Sequence, residues 1–152
     1  MNEERTLGMP QRNRGLERRE QTARHELTVV MEETTLCRER QEITQSMLRR
    51  WLRHLNRASH LLLSDLEREI DNSLPESAWL WTAIDDTLAV SREIVALRHR
   101  IIAGGDLGDL SAGLYEEMNV DAALRSVQEL VSRVLSLIPR EADGMPEAYG
   151  EG

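Results

Sequence analysis

A chain of 152 residues, 40% hydrophobic and 30% charged with a net charge of -8, has the size of one compact domain. All 19 of its basic residues are Arg. Without Lys, it cannot supply a GxxxxGK[ST] phosphate loop, a Schiff-base lysine or a lysine general base. Cys37 is the only cysteine and Phe is absent, so an internal disulfide and a thiolate metal cluster are excluded, and the core has to be built from Leu, Ile, Val and Met. The joint lack of Lys and Phe fits GC-rich coding, as in a high-GC bacterium, its phage or a GC-rich animal virus.

The first twenty residues are polar and carry no apolar core of the signal-peptide kind. No uninterrupted apolar run approaches the length of a membrane span. The expected location is the cytoplasm, or the host nucleus for a viral chain, with no membrane association.

Gly8, Pro10 and Gly15 mark residues 1–18 as a flexible mixed-charge arm, after which neither Gly nor Pro occurs before Pro75. That stretch predicts one long N-terminal helix, with coiled-coil character where Leu27, Val30, Cys37, Leu48, Trp51, Leu55, Ala58 and Leu62 follow a 3,4 spacing. Its first part, Gln21 to Ser46, has too little apolar surface to be stable alone and needs a partner or the rest of the fold.

Ser73, Pro75 and Glu76 read as a capping box. A second helix is expected from about Leu74 to Ala103, burying Trp79, Leu80, Ile84, Leu88, Ile94, Val95, Leu97 and Ile101 before Gly104 and Gly105 end it. Asp106 or Asp109 caps a short third helix with Leu110, Leu114 and Met118. Asn119 or Asp121 opens a fourth, with Leu124, Val127, Leu130, Val131, Val134, Leu135 and Ile138 ahead of Pro139. Residues 139–152 read as a disordered acidic tail. No segment alternates at strand period, so residues 19–138 are expected to form an all-α helical bundle of one long and three shorter helices.

The chemistry expected of this chain is sparse. The residues three before His25, His54, His60 and His99 are Thr22, Trp51, Arg57 and Ala96, so the Glu-x-x-His spacing of a metal bundle is missing. Cys37 shares the apolar seam and reads as packing rather than as a reactive thiol. Asp85 and Asp86 point about 100° apart on a helix and read as a solvated face. Gly104, Gly105 and Asp106 read as punctuation rather than an anion cradle. No catalytic, cofactor-binding or metal-binding residues and no small-molecule substrate are expected.

Trp79 and Trp81 diverge by about 200° on one helix, so one of them faces a second surface, where Trp is a common anchor. Charge is polarised: residues 1–60 carry a net +3 and residues 61–152 a net -11. Arg49, Arg50, Arg53 and Arg57 form the basic concentration, a candidate contact for nucleic acid or for an acidic partner. The expected function is a non-enzymatic structural or adaptor protein of a phage, viral or bacterial assembly, acting through helix-helix contact with itself or another helical protein. Leu48, Trp51, Leu55, Leu62, Trp79 and Trp81 are its expected interface. The alternative is a nucleic-acid-associated protein using the Arg-rich half.

Overall fold

A computed structural model describes residues 8–75, 77–103 and 112–140. Every element among them is helical: α1 Gly8–Arg40, α2 Gln45–Asp71, α3 Ala78–Ala103, α4 Ala112–Glu117 and α5 Val120–Leu137. The described residues are therefore all-α, with five helices among them where four were expected of the chain.

The long N-terminal helix is broken in two at Gln41 to Thr44, where no Gly or Pro marks the place. Gln41 takes a left-handed φ of 55°, and the Glu42 amide reaches back to the Cys37 carbonyl at 3.1 Å, which is the Schellman way of closing a helix end. Ile43, fully buried, pins the turn into the core. Thr44 then caps α2, its side chain accepting from the Met47 amide at 3.0 Å. The 3,4 apolar spacing continues across this turn because the hairpin folds both halves of the seam onto the same core.

The next turn repeats the device. Ser73 has a φ of 55°, and the Leu74 amide bonds the Glu69 carbonyl at 2.8 Å. Ser73 thus terminates α2 rather than capping α3, and Pro75 follows as it commonly does after such an end. The cap of α3 comes from α2 instead: the Glu69 carboxylate accepts from the Ser77 amide at 2.8 Å and from the Ser77 hydroxyl at 3.2 Å. This sets a negative charge at the positive end of α3. Glu76, the other half of the expected capping box, lies outside the described residues.

Side-chain pairs fix the helix directions. Arg19 bonds Asp65, and Arg50 bonds Glu33, so α1 and α2 are antiparallel. Arg24 donates to the Leu135 and Ile138 carbonyls while Arg38 bonds Asp121, so α1 and α5 are antiparallel as well. Arg133 bonds Asp86, and Arg100 donates to the Met118 carbonyl, which runs α3 and α5 in opposite senses. With α2 packed on α3, these four helices close an up-down-up-down ring, the arrangement short connections favour. The short α4 packs on α5.

One core fills the ring. Ala23, Leu27, Val30 and Cys37 of α1 meet Leu48, Trp51, Leu55, Ala58 and Leu62 of α2, Leu80, Val90, Ile94 and Leu97 of α3, and Leu124, Val127, Val131 and Val134 of α5. Each large aliphatic buried this way contributes roughly 1.5–3 kcal/mol. The meagre apolar face of α1 is thus completed by its own chain. Three expectations change. α1 runs through residues 8–18, which were assigned to a flexible arm. Leu88 and Val95, assigned to the core, are 42% and 39% exposed. The α3 start moves from Leu74 to Ala78. The expected caps Asp106 and Asp109, the Gly104 and Gly105 stop, Leu110, and residues 1–7 and 141–152 lie outside the described residues.

Candidate interaction surface

The apolar stripe expected to meet a partner meets the chain itself. Leu48, Trp51, Leu55 and Leu62 are all fully buried, since the turn at Gln41 to Thr44 folds α1 down over them. The Trp51 indole N–H donates to Glu33 at 2.8 Å, and Glu33 also holds Arg50 at 3.0 Å. A Trp so enclosed, with its one donor satisfied, offers nothing to a second molecule. This corrects the assignment of those four residues to an interface.

The basic ridge is half neutralised. Arg50 sits on Glu33, and Arg57 lies 3.6 Å from Glu26, which also binds His54. Arg49 and Arg53 are exposed. The carboxylates facing this ridge come from α1, within the basic half of the sequence, and not from the acidic half. It is α1 that reaches the acidic half, through Arg19 to Asp65 and Arg38 to Asp121. Hydrogen bonds from Arg38 and Arg125 hold the Asp121 carboxyl below its ordinary value. Burial pushes Asp65 up, and Arg19 opposes that.

Arg38 also donates to Gln128 at 2.8 Å, and the Gln128 amide donates to Thr34 and Thr35 at 3.0 and 2.8 Å. The buried Tyr115 hydroxyl joins at Asp121, 3.3 Å away. An open trough beside this network is lined by Arg38, Arg125 and Arg133, but all three pair with Asp121 or Asp86, so it is a poor anion cradle.

Other candidates resolve by placement. Cys37 is 2% exposed, with its sulfur 3.4 Å from that of Met47. Desolvation, helped by Glu33, pushes its thiol up to about 11, so at neutral pH it is a packed thiol rather than a nucleophile. Asp85 is exposed as expected, whereas Asp86 is buried and bonded to Arg133 at 2.9 Å, which corrects its assignment to a solvated face. Among the described residues no three His, Cys, Asp or Glu side chains gather where they could hold a metal ion. No helix among them is long and apolar enough to cross a membrane.

The two tryptophans of α3 divide as their 200° separation requires. Trp79 packs at the core margin, while Trp81 is 50% exposed. Trp81 is the first of three: Trp81, Leu88 and Val95 recur every seven residues along α3, all exposed. Asp85, Arg92 and His99 form a second exposed column with the same period, displaced from the first by four residues, or about 40° around the helix.

The core-facing residues Leu80, Ala83, Val90, Ile94, Leu97 and Ile101 occupy the opposite side, so the two columns share the outermost face of α3. A shallow groove lined by Leu88, Ser91, Arg92, Val95, Ala96 and His99 follows it. Among the described residues the other exposed large apolar side chains are Leu36 on α1, Leu114 on α4, and the pair Leu63 and Ile70 on α2, none of which extends to a third repeat.

The sequence turns one of Trp79 and Trp81 outward without deciding which, and its reading placed Leu88 and Val95 inside. The seven-residue period shared by 81, 88 and 95, beside the polar column at 85, 92 and 99, was the signal that could have found them. Compared with protein-family models, curated proteins and solved structures, the chain matches none.

Proposed function

We propose that this chain is a non-catalytic structural or adaptor protein, working within an oligomeric or multi-component assembly by presenting the outward face of α3 to another helix. The observation that supports this is the run of Trp81, Leu88 and Val95 left exposed at heptad spacing, the longest such exposed row among the described residues. A helix face of that period is what a partner helix packs against, knob into hole. A half-exposed Trp at one end is the residue type that most often anchors such contacts. The Arg-pocketed trough on α1 and α5 supports a ligand site less well, because its charges are already balanced.

The test is a photo-reactive amino acid at position 88, with a control at position 67 on the exposed side of α2, in cells producing the chain. The expected outcome is a protein adduct at 88 and little at 67. Equal labelling at both positions, or none at 88, contradicts the proposal.

A further inference from the structure

The two columns on α3 restrict what the partner helix can be. Looking at the outward face along the helix, apolar Trp81, Leu88 and Val95 run down one side and polar Asp85, Arg92 and His99 down the other. Two copies of such a face can meet about a two-fold axis in two ways. With the helices parallel, the axis runs along them and sets each apolar column against the other copy's polar column. With the helices antiparallel, the axis crosses them and keeps like columns on the same side, apolar against apolar and polar against polar.

The antiparallel arrangement also orders the charges. A two-fold axis beside Leu88 packs the two Leu88 side chains together and sets Trp81 of each copy near Val95 of the other. Asp85 then lies beside the other copy's Arg92, and Arg92 beside the other copy's Asp85. Both ion pairs form at once because the acidic and basic positions sit on opposite sides of the axis. This is the self-complementary patch that an isologous contact needs, in which a residue on the axis meets its own copy and every other pairing occurs twice. The e-type flanks of an antiparallel coiled-coil seam carry such pairings and set orientation. The core of each bundle lies behind its own α3, so docking through this face leaves both cores in place.

We infer that the occupant of the α3 face is a second copy of this chain, docked antiparallel with α3 on α3. This rests on the proposal that the face is an interaction surface, and names its partner.

The experiment measures the mass of the unmodified chain by sedimentation equilibrium from micromolar to millimolar concentration, then that of Asp85→Arg, Arg92→Asp and the double swap. The unmodified chain reads as two copies. Each single reversal opposes like charges twice across the axis and weakens association about three- to tenfold, the size expected of two surface pairs. The double swap restores it. A chain that stays at single-copy mass throughout overturns the inference, as does a double swap no tighter than the singles.

Orientation is read separately by mixing Trp81→Cys and Val95→Cys chains, both in a Cys37→Ala background: mild oxidation should link residue 81 of one copy to residue 95 of the other, and linkage of 81 to 81 and 95 to 95 instead overturns the antiparallel docking. If the chain sediments as one copy while a photo-reactive group at 88 attaches to a different protein, the second-copy inference falls and the interaction surface stands. If neither is seen, both fall.

Discussion

Replacing Arg19 by Met strands a carboxylate, and the cost follows from where Asp65 sits. The Asp65 side chain is 1% exposed and Arg19 is 24% exposed; Asp65 Oδ2 and Arg19 Nη2 find no other partner. Burial already pushes Asp65 above its ordinary value of 3.8, with Arg19 pulling it back. Losing Arg19 raises it further. Breaking a fully buried pair costs about 3–5 kcal/mol, and relaxation at the partly open Arg19 side brings the expected loss to about 2–3 kcal/mol at pH 7.

The sign of the pH dependence follows from the direction of the shift. With the folded-state value above the unfolded one, the native chain takes up the proton first. The penalty is therefore complete above the folded value, shrinks as pH falls through it, and is gone below about 3.8. Asp65→Asn costs less than Arg19→Met at pH 7, because an Arg at the surface edge can turn to water. Urea unfolding of the parent and both variants between pH 7 and pH 3.5 gives these differences. A cost for Arg19→Met that is the same at every pH, or that grows on acidification, refutes the reasoning.

Other substitutions probe the rest of the fold. Leu55→Ala, at a fully enclosed position, should lose about 2–5 kcal/mol in urea or thermal unfolding; a loss near zero contradicts the closed core. Thr44→Ala removes the α2 cap and should cost about 1 kcal/mol, unless the break between α1 and α2 is held only by Gln41 and Ile43. Iodoacetamide should label Cys37 much more slowly in the native chain than in urea, given its burial and a thiol near 11. Rapid native labelling would show that the seam opens.

Much of the fold was legible because the helical period is a local property. The apolar positions of α5, Leu124 to Val134, fall in or against the core as expected, and those of α2, Leu48 to Leu62, do form one continuous seam, but it closes on α1 instead of meeting a partner. The ends of helices were harder. Gln41 and Ser73 adopt left-handed conformations that Gly or Asn usually marks, and tertiary burial of Ile43 and a carboxylate cap from Glu69 hold those turns. Neither is visible in the neighbouring sequence.

Charge polarity was readable, but its pairing was not. Arg50 and Arg57 turn to Glu33 and Glu26 because α1 folds back over α2, while Arg38 reaches Asp121 because α5 closes the ring. Leu88 and Val95 were misplaced because α3 is apolar on two faces. Only the position of α2 and α5 decides which face is closed.

The central claim is that the bundle is complete in itself and that the α3 face is left for a partner. Leu88→Glu separates the two parts. At 42% exposure a charge there should leave the unfolding free energy of the single chain within about 0.5 kcal/mol of the parent. Sedimentation equilibrium at a concentration where the parent reads as two copies should then find Leu88→Glu as one copy with native helical content. A variant that associates as the parent does, or one that unfolds, would contradict the account.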